Sequence, residues 1–290
     1  MRRKTEDGRR KTEEGAQYAR GRWTWRLFGR SSPACVAIFL LSSVFCPPSS
    51  AQRVVSLNVC ADQMLVLLAP EQVAALSPLA RDPALSFVAD LARHLPIVRA
   101  SAEAVLRLAP DLVLGGAFGA QTTLAVLERE GLRVVRIDMP QDFDGIRKQT
   151  RVLAALLGVP ERGEALIADM DARLAALPRP AHRLSALVWQ ARGFTAGPGT
   201  LMDAVLREAG LANASDGRRV GLESLLRHPP DLLVTTVPPA YPSLATEALG
   251  WSALDRIPRR ELPPALTVCA GPFTVRAAER LAGSAERLAR

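Results

Sequence analysis

Arg81 and Arg192, together with Phe118, Trp189, Tyr241 and Phe273, are the residues whose types and placement could do chemistry, and that chemistry is recognition. Each follows an apolar run or a short connection at a strand end. A guanidinium offers a fixed charge and a fork of donors to carboxylate or phosphate. An aromatic ring offers a broad apolar face. The set suits a wide, partly apolar ligand carrying negative or polar groups. Asn58 and Cys60, which follow the first apolar run, complete the candidate ligand-binding residues. Covalent chemistry has less to work with. His94, His182 and His228 are scattered, and no G-x-S-x-G nucleophile elbow occurs. The glycine clusters at Gly115-Gly116-x-x-Gly119 and Gly193 to Gly199 match neither dinucleotide nor P-loop patterns. We therefore assign no catalytic residue, no metal ligand and no cofactor.

The elements that position these residues alternate. Arg53 to Leu57 reads as a strand, Asp62 to Leu68 as a helix, and Val73 to Leu76 as a second strand. A helix over 84–92, one over 101–108, a strand at Asp111 to Leu114, a helix over 122–130 and a strand at Val134 to Ile137 follow. A helix over 143–157 closes the first lobe. The pattern restarts with a strand at Leu184 to Trp189, helices over 201–209 and 222–227, a strand at Asp231 to Val234, another at Leu266 to Val268, and a terminal helix over 275–290. Strands alternating with helices predict parallel sheets covered on both faces. The fold class is α/β, with two Rossmann-like lobes. Between them Pro160 to Leu177 reads as one unbroken helix, with Pro160 in the first turn and Pro178 and Pro180 ending it. It would join the lobes as a rigid linker, leaving the ligand cleft between them. The expected boundaries are 52–158, 159–178 and 179–290.

The net charge of +8 is concentrated at the start: residues 1–51 hold ten Lys/Arg against four Asp/Glu. A nucleic-acid binder would keep its basic excess in the folded part, so none is expected as a partner. The basic stretch ends at Arg30 and precedes the apolar run Ala34 to Phe45, then small residues to Ala51. That is the layout of a cleavable secretory signal peptide, and it implies a periplasmic location. Cys46 follows Phe45 instead of a small residue, which favours a soluble exported chain over a lipoprotein. No other stretch could span a bilayer. Cys60 and Cys269 remain after cleavage and fall in different lobes. Small buried thiols are the expectation, because pairing needs Cα atoms within about 7 Å. A bridge in an oxidising compartment is the open alternative.

One internal echo stands out. Ser101 to Leu114 matches Gly221 to Val234 at a constant offset of 120, each copy carrying an early glutamate, a proline stop and an Asp-Leu strand start. Glu103 and Glu223 thus mark equivalent places on two related lobes; as single residues they would only stabilise helix N-termini.

The order RVVSLN…DQMLVLLA, the repeated x-Glu-x-x-x-x-x-x-Pro-Asp-Leu unit and the stretch Thr200 to Asn213 together resemble the periplasmic binding proteins for iron–siderophore complexes and vitamin B12, over about residues 53–290. The resemblance implies two lobes joined by one helix, a metal chelate (ferric siderophore, haem or cobalamin) held in the cleft, and a monomer that is not an enzyme. It also implies docking of Glu103 and Glu223 onto an ABC permease dimer with its ATPase subunits. Asp62-Gln63 departs from the Thr-Glu frequent in relatives. An exported α/β enzyme acting on a cell-envelope substrate is the alternative, and a free Zn²⁺ or Mn²⁺ carrier is disfavoured for want of ligands.

Overall fold

A computed structural model of the protein describes residues 52–236 and 251–288. Two four-stranded, all-parallel sheets organise this region. In the first, β1 (Val54–Ser56), β2 (Val73–Ala75), β3 (Leu112–Gly116) and β4 (Val134–Ile137) take the order β2-β1-β3-β4. In the second, β5 (Ser185–Val188), β6 (Ala212–Asn213), β7 (Leu232–Thr236) and β8 (Arg259–Leu262) take the order β6-β5-β7-β8. The two orders are the same. Val54 pairs with Leu112 in the first sheet and Ala186 with Leu232 in the second, so the offset of 120 seen in sequence relates equivalent strands.

A polar clip explains why aspartate recurs at that spot. Asp111 accepts the backbone N–H of Arg53 at 2.8 Å, just before β1. Asp231 accepts both the N–H and the hydroxyl of Ser185 at 2.7 Å, at the start of β5. Each carboxylate ties the start of the central strand to its neighbour, and the hydrogen bonds from Ser185 hold the Asp231 carboxyl below the ordinary range.

The helices α1 (Val59–Leu68), α2 (Ala102–Leu106), α3 (Gln121–Arg129) and α4 (Phe143–Leu156) belong to the first lobe, and α6 (Leu201–Glu208), α7 (Leu222–Arg227) and α8 (Val275–Leu288) to the second. The linker α5 spans Pro160–Ala175 and starts on Pro160 as its sequence requires. It is packed along its length. Gly163 lies so close to α4 that a Cβ there would stand 2.5 Å from the Ala154 methyl. Leu166 packs against the core of the first lobe, while Met170 and Leu174 join the core of the second. Arg173 pairs with Asp169 at 2.9 Å and reaches Glu279 on α8 at 3.1 Å. The second core also takes in Phe143 and Ile146 from α4, so apolar packing runs continuously from one lobe to the other.

Three elements depart from the sequence reading. Residues 84–92 form turns and a 3₁₀ segment at Leu91–His94 in place of a helix. The last described strand is Arg259–Leu262; Leu266 to Val268 lies instead in and after a 3₁₀ turn, where its N–H groups donate to the carbonyls of Pro263 and Pro264. Helix α1 begins at Val59, three residues early, because Asn58 caps it.

Candidate functional site

In open α/β sheets ligands lie beyond the carboxyl ends of the strands. Here one covalent bond joins a segment that follows a strand of the first sheet to a segment that follows a strand of the second. Cys60, just past β1, is bonded to Cys269, just past β8, with Cα atoms 5.2 Å apart across 209 residues of sequence. The expectation of unpaired thiols is corrected, and so is Cys60 as a ligand-binding residue, because its sulfur is committed to this bond. Beside it, Phe87 of the first lobe stacks on Phe273 of the second, centroids 4.9 Å apart and rings 10° from parallel. Phe273 is 2% exposed and belongs to this contact between lobes, not to an open wall.

The other candidates divide the same way. The Asn58 side chain caps α1, accepting the N–H groups of Cys60 at 2.9 Å and Ala61 at 3.3 Å. The Arg81 guanidinium donates to the carbonyls of Ala92 and Leu95, bracing its own loop. Trp189 is 2% exposed, and its indole N–H donates to the Val220 carbonyl at 2.8 Å. Phe118, past β3, stands 73% exposed. Arg192 is exposed past β5, in a left-handed backbone conformation with φ 59°. Tyr241 lies outside the described residues.

Sequence reasoning missed Phe194 and Arg219. Phe194 is half exposed, two residues beyond Arg192, and the Arg219 guanidinium sits 4.1 Å from its ring centroid. The signal was available as alternation past a strand end, Arg192-Gly-Phe194. Phe118, Met139, Arg192 and Phe194 are exposed groups that follow strand carboxyl ends, and Arg219 stacks on Phe194. A separate concavity of about 310 Å³, lined by Asp144, Arg147, Asp171, Arg179 and Glu208 among others, pairs its charges internally.

The departure at Asp62-Gln63 is buried in the first turns of α1. Burial pushes the Asp62 carboxyl up to about 7, against the opposing pull of hydrogen bonds from Ser56 and Ser77. The Gln63 carbonyl accepts the backbone N–H of Phe87 at 2.8 Å. Both residues hold the loop that carries Phe87.

Glu103 and Glu223 stand on α2 and α7, one per lobe, 78% and 90% exposed at the side chain. Each pairs with an arginine four residues on, Arg107 at 3.1 Å and Arg227 at 3.4 Å. Among the described residues no helix is long and apolar enough to cross a membrane, and no group of His, Cys, Asp and Glu could hold a metal ion.

Two like lobes joined by one helix and tied by one disulfide define a two-lobe binding-protein architecture. The chain belongs to the periplasmic binding protein family, whose model matches residues 54–246. It is similar to a cobalamin-binding protein of Halobacterium salinarum, 29% identical over 153 residues. That match takes in 47% of this chain and 40% of the relative, so the chain spans well under half of that curated protein. Among solved structures it is similar to the apo form of the periplasmic heme-binding protein RhuT from Roseiflexus sp. RS-1, with 26% identity and a TM-score of 0.64 over 83% of this chain and 100% of that one. A periplasmic heme-binding protein from Pseudomonas aeruginosa shares 25% identity with a TM-score of 0.62, over 81% and 92% of the two chains. The vitamin B12 binding protein BtuF of Vibrio cholerae shares the fold, with 19% identity and a TM-score of 0.58 over 83% and 98%. The family and these neighbours are binding proteins, not enzymes.

Proposed function

We propose that the chain is the exported substrate-binding component of an ABC importer, capturing a metal chelate between its lobes and delivering it to a permease dimer with its ATPase subunits. Residues 1–51 act as a cleavable signal peptide, and the mature chain works in the periplasm as a monomer with a first lobe over 52–158, a linker over 159–178 and a second lobe over 179–290. The observation that carries this reading is the pair of like parallel sheets joined by one helix and tied by the Cys60–Cys269 bond. Relatives named for heme and for cobalamin support a chelate as cargo. Phe118 and Phe194 offer apolar faces, and Arg192 and Arg219 offer charge to carboxylate or phosphate groups on the ligand's rim. Glu103 and Glu223 serve as one docking point per lobe.

Quenching of tryptophan fluorescence tests the reading. The mature chain is titrated with cyanocobalamin, haem and several ferric siderophores, with an inner-filter control. Saturable binding of one chelate at one equivalent is expected. The absence of saturable binding across the whole panel, checked by calorimetry, would overturn it.

A further inference from the structure

We infer that the Cys60–Cys269 disulfide is a latch that fixes the spacing of the two lobes at the floor of the cleft, so that the cleft is preset before ligand arrives. Its consequence for binding rests on the functional reading above; its geometry does not.

The latch is built into rigid elements on both sides. Cys60 sits in the first turn of α1, where the Asn58 cap holds its backbone N–H. Cys269 is held from the other lobe: Thr274 donates its hydroxyl to the Cys269 carbonyl at 3.5 Å and accepts the Gly271 N–H at 3.1 Å. These bonds lock the segment onto the start of α8. Cys60 stands in a helix, and Cys269 in the short bend between the 3₁₀ turns Pro264–Leu266 and Pro272–Thr274.

A second contact lies one helical turn along. Gln63, three residues after Cys60, holds the N–H of Phe87, and the Phe87 ring stacks on Phe273, four residues after Cys269. The Arg276 guanidinium lies 5.7 Å from the same Phe87 ring. Disulfide and stack thus connect the same two stretches of chain, 60–87 and 269–276. The 3₁₀ turn Pro272–Thr274 also packs on α4 and α5, so the linker helix meets the same hub.

Magnitudes decide which contact dominates. A stacked pair of phenylalanines contributes about 0.5–1.5 kcal/mol beyond its burial and yields to a modest hinge force. The disulfide cannot yield that way. With Cα atoms 5.2 Å apart, the floor can widen by no more than about 2 Å before bridging geometry fails. Rocking of the rims about the latch remains free; widening at the floor does not. Without the latch a larger share of the population has a splayed cleft, and apparent affinity falls by that share.

The test reads distance, not ligand. Glu130→Cys on the first lobe and Glu286→Cys on α8, both exposed, are spin-labelled through thioether bonds in the mature chain. Pulsed dipolar spectroscopy of the apo protein is expected to give one narrow distance distribution. Cys60→Ser with Cys269→Ser should broaden it at least about twofold and weaken chelate binding about three- to tenfold. Phe87→Leu, with the disulfide intact, should leave it narrow. An equally narrow distribution in a folded serine pair would overturn the proposal. If the serine pair does not fold, the labelled disulfide form is read before and after a dithiol reduces it, two electrons and two protons passing to the sulfurs as the dithiol closes into its own disulfide. Unchanged width after reduction overturns the latch in the same way. Because the measurement needs no ligand, failure of the chelate panel and failure of the latch are separate outcomes.

Discussion

Asp62→Asn should stabilise the protein at neutral and alkaline pH, and the gain should fade in acid. Asp62 is fully buried in α1, with its carboxyl accepting the Ser77 N–H at 3.1 Å and the Ser77 hydroxyl. No cation pairs with it among the described residues. Burial raises its folded-state pKa to about 7 from 3.8. The sign follows from proton counting. Between pH 4 and 7 the folded chain keeps this proton and the unfolded chain has lost it, so stability falls as pH rises. Below the unfolded pKa the penalty is absent, and above the folded pKa it is complete. At 1.36 kcal/mol per tenfold change in proton affinity, the complete penalty is on the order of 4 kcal/mol.

Asparagine is neutral at every pH and keeps an acceptor for the Ser77 N–H. Its amide can donate to the Ser77 hydroxyl oxygen in place of the bond it removes. The assay is urea unfolding of both proteins at pH 5, 6, 7 and 8. All other titrating groups are common to the two chains and cancel in the difference. The advantage of the variant should grow by about 1.4 kcal/mol for each pH unit between 5 and 7 and level off by pH 8. Parallel stability profiles would refute the reasoning, because they would mean that Asp62 is ionised in the folded chain.

Two further outcomes follow from the geometry. Gly193→Ala places a methyl 2.5 Å from the Val220 carbonyl oxygen at a residue with φ +75°, so it should lower stability by about 2 kcal/mol and red-shift Trp189 emission as its hydrogen bond to Val220 is disturbed; unaltered melting would refute this. Glu103→Ala with Glu223→Ala removes two exposed i,i+4 pairs, each worth about 0.3–0.5 kcal/mol, so fold and chelate affinity should persist while uptake in cells is lost; weakened affinity would overturn the docking role.

The elements legible in sequence were those fixed by local pattern. The Pro-Asp-Leu unit reads at 111 and 231 because each aspartate clips a strand start within its own lobe, a device the chain repeats. The linker reads from Pro160 to Leu177, two residues past the helix end at Ala175, because its apolar face keeps helical spacing against both cores. Strand β8 did not read, since Arg259-Arg260-Glu261 lies on a sheet edge where charged residues are tolerated, while the more apolar 266–268 spends its N–H groups on the carbonyls of Pro263 and Pro264. Among strand-end residues, type alone did not separate wall from core. Trp189 and Phe118 occupy comparable positions, yet the chain from 190 to 220 folds back over Trp189, whereas Phe118 stays exposed. That covering depends on Gly193 and Val220 meeting, a contact with no local signature.

The disulfide was hidden for a stronger reason. The internal repeat relates β3 to β7, and the strand order shared by the two sheets then relates β1 to β5 and β4 to β8. A link that obeyed the repeat would join like positions. Cys60 follows β1, whereas Cys269 follows β8, so the bond joins unlike strands and breaks the likeness of the two lobes. An asymmetric tie of this kind is what a fixed floor requires. It ties the first helix of one lobe to the segment that leads into the last helix of the other, while Phe118, Arg192 and Phe194 past other strands stay exposed.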